Sequence, residues 1–289
     1  MQEISTSSTG ESLNLDPRVV SAFGDEWSRF RNDKLSDEEL SEMFNQYTAI
    51  FPWDDLSEDA VGFDAGCGSG RWAKIFAGRV GRLHCVDASA AALDVARQAL
   101  ADKANVEFHL EDISNMSLPG GSCDFGYSLG VLHHVPDTER AVNSCVAKLK
   151  PGAPFLVYLY YDLDGAGILR ISLLKMVTGV RWLISRLPRW LKVMVTGAIA
   201  VVVYLPLARF ALFLERAGGD PSKVPLFQYR NHSFYVMQND ALDRFGTRLE
   251  KRFSRDEVRC LLEQAGLERV TFSEDPPWWV AVGWRVHSA

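Results

Sequence analysis

Val61-Gly62-Phe63-Asp64-Ala65-Gly66-Cys67-Gly68-Ser69-Gly70, with Asp87 seventeen residues beyond Gly70, decides how this chain folds. A short apolar run ends in an acid. Three glycines follow at alternate positions, the next segment can form a helix, and a second apolar run ends in another acid. Glycine lets a backbone turn sharply or approach a ligand closely. An acid closing the second strand can accept hydrogen bonds from both hydroxyls of a ribose. The pattern describes a nucleoside site at the carboxyl edge of a parallel sheet.

Glycine spacing narrows the choice of nucleoside. Dinucleotide sites use G-x-G-x-x-G, with a pyrophosphate on the helix N-terminus. Here the pattern is G-x-G-x-G, and the third position of the dinucleotide pattern is Arg71. Asp64 would repel a pyrophosphate but suits an amino-acid ammonium. A ligand with adenine, ribose and a cationic amino acid, and no phosphate, fits better, which disfavours a nicotinamide oxidoreductase.

Strands and helices alternate beyond this loop. Strands are expected at Ala60–Ala65, Arg82–Asp87, Val106–Leu110, Phe125–Leu129 and Phe155–Tyr160, with helices at Ala90–Ala101 and Asp137–Leu149. Such alternation predicts a doubly wound parallel sheet with ligands at the strands' carboxyl ends. After a long interruption, Ser254-Arg255-Asp256-Glu257 starts a helix that stops at Ala265-Gly266, and β-rich segments follow at Glu268–Phe272 and Trp279–Val286.

Over Ala60–Tyr161 and Ser254–Val286 the sequence resembles class I S-adenosylmethionine-dependent methyltransferases. The resemblance implies an α/β fold with a doubly wound, seven-stranded, mostly parallel sheet, an N-terminal helical cap and a helical insertion after strand five. It also implies roles for individual residues. Asp64, Ala65, Gly66, Cys67, Gly68 and Gly70 would hold the amino-acid end of S-adenosylmethionine, and Asp87 with Ala88 the ribose. Asp112 and Ile113, in Glu111-Asp112-Ile113, would hold the adenine, and Leu129 and Gly130 would floor the methyl group. Ser128-Leu129-Gly130-Val131-Leu132-His133-His134-Val135 resembles the small-molecule branch typified by quinone-biosynthesis methyltransferases. It lacks the Asn/Asp-Pro-Pro-Tyr/Phe signature of enzymes that methylate nucleic-acid bases.

His133 and His134, whose ordinary pKa lies near neutrality, are candidate bases for the methyl acceptor, as are Tyr160 and Tyr161 at the end of strand five. One of the two tyrosines should face the pocket, because strand side chains alternate. Each histidine is otherwise a hydrogen-bonded wall residue. Arg230, His232 and Tyr235, in the polar aromatic stretch Gln228–Tyr235, are candidates to bind an acceptor phosphate or carboxylate; a solvated loop is the alternative. Asp240 reads as the N-cap of a turn over Ala241–Phe245. The six histidines are scattered along the chain and no Cys/His spacing matches a zinc site, so no metal is expected.

Composition bounds the partners. The 289 residues are 47% hydrophobic and 24% charged, with a net charge of −6. No overall basic field is available for a nucleic-acid partner. Five cysteines without metal spacing fit a reducing, cytoplasmic compartment. The first sixteen residues lack the basic and apolar regions of a signal peptide. Between Gly165 and Arg216, however, eight basic residues accompany one acid, Glu215, giving +7 against −13 elsewhere. Leu169, Leu173, Met176, Val177, Val180, Leu183, Ile184 and Leu187 share one helical face, opposite Arg170, Lys175, Arg181 and Arg186. Val193–Leu214 is almost wholly apolar and is interrupted by Pro206.

The expected organisation is a disordered tail at 1–16, a helical cap at 17–57 that either packs on the core or covers the cofactor, a core at 58–163 and 228–289, and a basic apolar helical insertion at 164–227. A single membrane crossing by the insertion would put strands of one sheet on opposite sides of the bilayer. The open readings are peripheral membrane contact through Gly165–Arg216, on the inner membrane face, an apolar substrate channel, a homodimer interface, or a helical lid. The functional expectation is O- or C-methylation of a small or lipid-like acceptor; the alternative is a non-catalytic S-adenosylmethionine-binding scaffold attached to a membrane or partner protein.

Overall fold

Burial on both faces explains why the central strands read as unbroken apolar runs. The computed structural model describes residues 13–31, 34–162 and 177–287. Its seven strands are β1 (Val61–Ala65), β2 (Arg82–Asp87), β3 (Val106–Leu110), β4 (Phe125–Leu129), β5 (Pro154–Tyr158), β6 (Leu267–Phe272) and β7 (Val280–Arg285), in the order β3-β2-β1-β4-β5-β7-β6. β1 to β5 pair in parallel, and β7 runs antiparallel between β5 and β6. Every residue of β4 and β5 is buried, as expected of parallel strands covered on both sides. The strand order reverses between β1 and β4, so the crevice for a ligand opens at the carboxyl end of β1.

The helices are α1 (Pro17–Arg29), α2 (Asp37–Tyr47), α3 (Ala73–Phe76), α4 (Ala90–Ala99) and α5 (Thr138–Lys148), then α6 (Arg189–Arg216), α7 (Phe234–Gly246) and α8 (Arg255–Gln264). Asp16 caps α1, Ser89 caps α4 and Asp137 caps α5, each accepting a bond from a backbone N–H of the first turn. Ser254 and Glu257 form a complete capping box on α8.

The chain forms two compact units, Met1–Arg31 with Leu40–Asp164 and Leu249–Ala289, and Asn32–Glu39 with Gly165–Arg248. The expected boundary at 227 is therefore displaced. Residues 228–248 join the second unit because α7 packs along α6: Lys192 Nζ donates to Gly246 O at 2.9 Å, and the Tyr204 hydroxyl donates to Asp240 at 2.8 Å. Asn32–Glu39 joins it because the Glu39 carboxylate accepts the Ser233 N–H at 2.7 Å, at the cap of α7. Asp240 lies inside α7, not at its start, and pairs with Arg244 at 3.1 Å.

Pro206 does not break α6. The preceding residues, Ala200–Tyr204, widen into a π-turn, which accommodates the missing N–H and the ring without ending the helix. Of the basic face expected over 169–187, residues 163–176 lie outside the described residues, and 177–184 are helical. The expected tail is likewise described only from Leu13, and its last residues are ordered by hydrogen bonds: Asn14 is buried and binds Asp112, Ser114 and Asp137.

Across β1 and β4, Gly62 is paired with Phe125 and Phe63 with Gly126. A Cβ on Gly62 would lie 2.1 Å from the Phe125 ring, and one on Gly126 would lie 2.2 Å from the Phe63 ring. Each glycine makes room for the aromatic ring of its neighbour. Gly126→Ala is expected to lower stability by about 1–3 kcal/mol or more through overpacking, read as a shifted denaturation midpoint at unchanged m-value; an unshifted midpoint would show that the interlock is not required.

Candidate functional site

The loop after β1 is held by β2. The N–H groups of Gly66 and Cys67 both donate to Val86 O, at 2.8 and 3.1 Å. Gly66, Gly68 and Gly70 all take positive φ, at 89°, 54° and 76°, a region that favours glycine. A Cβ on Gly68 would strike the Trp27 indole at 2.8 Å, and one on Gly66 would strike Val131 at 2.4 Å. The loop is therefore closely walled by α1 on one side and the segment after β4 on the other. Cys67 is buried, and its thiol is pushed well up by the Cys85 thiol against it and by burial, so it remains a neutral, small apolar lining.

Asp64 is 1% exposed, and its Oδ2 has no hydrogen-bond partner. Burial drives its carboxyl up to about 8, with the Tyr127 hydroxyl lowering it and the charge of Asp87 raising it. Tyr127 is Asp64's register neighbour on β4, and burial holds its hydroxyl far above the ordinary phenol value, so it stays a donor. A buried carboxyl oxygen left unmatched costs about 1–3 kcal/mol, and a cationic amine at this position would relieve it.

Asp87 closes β2. One oxygen accepts from Gly68 N at 2.9 Å and the other from Ser89 N at 2.8 Å. Burial raises its carboxyl, and the backbone donors at Ser89, Gly68 and Ala88 offset part of that rise. Its carboxylate is thus fixed where the loop and the second strand meet, with the Ala88 backbone beside it. Asp112, after β3, is buried; its oxygens accept from Asn14 N at 2.6 Å, Ser114 N at 2.9 Å and Asn115 Nδ2 at 3.2 Å. Ile113 is buried beside it. The α1 segment is thus tied directly to the residue assigned to adenine.

At the end of β4, Leu129 is buried and Gly130 takes φ 84°. The following turn, Leu132–His134, is buried throughout. His133 is fully buried, neither ring nitrogen has a hydrogen-bond partner, and the ring stacks on Tyr160 with centroids 3.9 Å apart. Burial pushes His133 well below the ordinary histidine value, with further lowering from His134 and Arg252, so the ring is neutral. His134 is fixed through Nδ1 to Leu249 O at 2.6 Å and by Phe23 of α1, 5.0 Å between centroids. Of the two tyrosines, Tyr160 joins the histidines, whereas Tyr161 turns to Trp278 and Trp279.

In the second unit, the Arg230 guanidinium meets Glu215 through two bonds of 3.0 and 2.9 Å. His232 lies 3.3 Å from Glu39 and is buried, and Tyr235 sits in the first turn of α7. Arg230 is thus committed to a carboxylate of its own chain.

Asn14 and Tyr127 escape the sequence reading. Tyr127 could have been found, since it occupies the strand position paired with Asp64; Asn14 reaches Asp112 across 98 residues with no local signal. The histidines are not all scattered in space: His84 and His109 meet on adjacent strands.

Known proteins match the same region. Residues 63–157 match the Methyltransferase domain family. Ubiquinone biosynthesis O-methyltransferase of Coxiella burnetii is 30% identical over 107 residues, covering 34% of this chain and 46% of that protein. The protein of the same description from Alkalilimnicola ehrlichii is 37% identical over 93 residues, 31% of this chain and 37% of that protein. The chain spans less than half the length of these curated relatives. Among solved structures, a Bordetella parapertussis protein superposes with TM-score 0.52 at 14% identity, over 85% of this chain and 68% of that one. A Haloferax volcanii chain solved with the Trm112 methyltransferase activator gives 0.50 at 16% identity, over 92% and 98%. These last two likenesses concern the fold. With the glycine loop, the acids after β1, β2 and β3, and the match over 63–157, the chain carries a class I S-adenosylmethionine-dependent methyltransferase domain.

Proposed function

We propose that this protein transfers a methyl group from S-adenosylmethionine to a small, lipid-like acceptor, and that it does so at a membrane surface. The observation that carries the cofactor reading is Asp64, a buried carboxyl with one unmatched oxygen at the mouth of a loop that only glycine can form. Asp64 would hold the ammonium, Asp87 the ribose hydroxyls, and Asp112 with Ile113 the adenine. The bound cofactor supplies an electrophilic methyl on a good leaving group. What remains for the chain is alignment, exclusion of water and removal of the acceptor's proton.

His133 suits the last task. A neutral imidazole keeps one lone pair, and neither ring nitrogen is engaged. Tyr160 stacks against its face and fixes the plane, while His134 is held by Leu249. The Coxiella and Alkalilimnicola relatives are O-methyltransferases by description, which supports a hydroxyl acceptor, although a Caenorhabditis elegans relative is described as an N-methyltransferase.

The membrane reading rests on the inverted character of α6. Its inward face is Thr196, Ala200, Tyr204, Ala208 and Ala211, all buried. Its exposed side chains include Trp190, Met194, Val201, Val202, Phe210 and Phe213, from 50% to 71% exposed. Trp182 and Leu183, in the preceding helical stretch, are about as exposed, at 59% and 60%. A patch of this kind marks an interaction surface, and Arg186, Arg189, Arg209 and Arg216 flank it with positive charge. At 28 residues, α6 is long enough to cross a bilayer. The ends of the insertion are clamped, however: Tyr161 pairs with Phe253, and Asp162 N donates to Phe253 O at 2.8 Å. One crossing would pull that pair apart. Helices lying in the interface of an anionic leaflet satisfy both facts.

Calorimetry with S-adenosylhomocysteine tests the site. In the free protein Asp64 keeps its proton up to about pH 8, whereas an ammonium partner favours the ionised form. Binding then releases a proton below that pH, and affinity should rise with pH up to about 8, by as much as tenfold per unit. Asp64→Asn should flatten the dependence, and Asp87→Ala should abolish measurable binding; unchanged affinity in either would remove that residue from the site. For turnover, labelled cofactor is offered with a panel of quinols, prenyl phosphates and glycolipids. On the accepted substrate His133→Ala should lower kcat by about a hundredfold with little change in cofactor affinity; binding without turnover on any acceptor would favour the scaffold reading.

Flotation with liposomes tests the surface. Removing the side chains of Trp190, Phe210 and Phe213 from water contributes on the order of 1.5–3 kcal/mol each, so the triple serine variant should lose flotation while keeping its fold. Wild type should float with vesicles containing anionic lipid; failure to do so would end the membrane reading.

A further inference from the structure

Parallel pairing of β2 and β3 assembles a cluster that lies apart from the glycine loop and that methyl transfer does not use. His84 stands opposite Glu107, and Val86 opposite His109, so His84, Glu107 and His109 project from the same face of the sheet near its β3 edge. His84 Nδ1 and His109 Nε2 are 3.0 Å apart, and His84 Nδ1 is 3.4 Å from Glu107 Oε2. The three ligand atoms all lie within 4.8 Å of one another. We propose that His84, Glu107 and His109 bind one divalent transition-metal ion of the zinc class, with a fourth position left to water.

Geometry supports the donor set. Tetrahedral zinc, with bonds of about 2.0–2.1 Å to nitrogen and oxygen, spaces neighbouring ligand atoms about 3.3–3.4 Å apart. The two measured separations bracket that value within a few tenths of an ångström. Two imidazoles and one carboxylate form a borderline set that suits zinc, nickel or copper and not the all-oxygen shells of magnesium or calcium.

The groups around the cluster also suit a cation. Glu107 is half-exposed, and its nearest competitor is Arg82, whose Nε lies 3.5 Å from the other carboxylate oxygen. A metal can therefore take Oε2 while Arg82 keeps Oε1. The His84 side chain is mostly enclosed, at 12% exposed, while Glu107 stays open to solvent. The Arg97 guanidinium lies over Phe108, whose side chain alternates to the opposite face, and does not crowd the site.

Such an ion would pin the edge strand β3 to β2, the strands leading to Asp112 and Asp87. The binding claim is independent of the methyltransferase reading, since none of the three residues belongs to the proposed cofactor or acceptor site.

The test is a titration of the metal-free, full-length protein with zinc chloride against a chromophoric chelator, in a Cys260→Ser background that removes the exposed thiol. One equivalent should bind with micromolar or tighter affinity. His109→Gln and Glu107→Gln should each weaken binding at least tenfold, and zinc should raise the thermal midpoint of the parent but not of His109→Gln. Retained S-adenosylhomocysteine binding or an unchanged circular dichroism spectrum verifies that the variants are folded. If the parent takes up no more zinc than the His84→Gln/His109→Gln double variant, or if the single variants bind as tightly as the parent, the contact is only an imidazole–imidazole hydrogen bond and the proposal is overturned.

Discussion

A carboxyl group that the fold buries and does not fully partner sets the terms for everything around it. Asp64 lies at the end of β1, in the centre of the sheet, beside β4, every residue of which is buried. Water cannot reach it to solvate a charge, so the free protein holds it protonated near neutrality. Tyr127, its register neighbour on β4, is itself confined by the same burial. The carboxyl is thus stabilised less by its own chain than by a cation that arrives. Around it the backbone must stay open, and the three positive-φ glycines achieve that by omitting every side chain that would fill the space.

The second acid is handled differently. Asp87 spends its two oxygens on backbone donors of the loop and of the turn after β2, so it ties the two segments together before any ligand is present. Asp112 goes further and accepts from Asn14, in the segment that leads into α1. Trp27 of the same helix covers Gly68 and lies 5.6 Å below the Arg71 guanidinium. Three acids of one chemical type thus range from poorly to fully partnered, and Asp112 is the one the N-terminal segment closes over.

How far these features could be read in the sequence follows from how local their causes are. A glycine loop between two strand-terminal acids is written in fewer than thirty consecutive residues, and the βα alternation around it follows from periodicity and turn chemistry, so the sheet and the place of these acids at its strand ends were legible. The π-turn at Ala200–Tyr204 was not, because Pro206 announces a break and only the helix packing shows that widening is cheaper. The placement of 228–248 with the insertion was hidden for a related reason. It depends on Lys192 reaching Gly246 and Tyr204 reaching Asp240, contacts with no trace in local pattern. His84, Glu107 and His109 carry a weak trace: polar residues two apart in one predicted strand and a histidine in the strand before it. Their meeting depends on register, which a single sequence leaves open.

Where the chain returns from the insertion it is anchored to the turn after β4. Residues just beyond Arg248 grip the turn that carries the proposed base: Lys251 N donates to His133 O at 2.9 Å, Lys251 Nζ donates to Pro136 O at 2.6 Å, and Leu249 O meets His134. Two residues later Phe253 exchanges hydrogen bonds with the Tyr160 and Asp162 backbones, on the strand extension that stacks against His133. The turn that carries His133 is therefore held by the chain on both sides of the insertion as much as by β4.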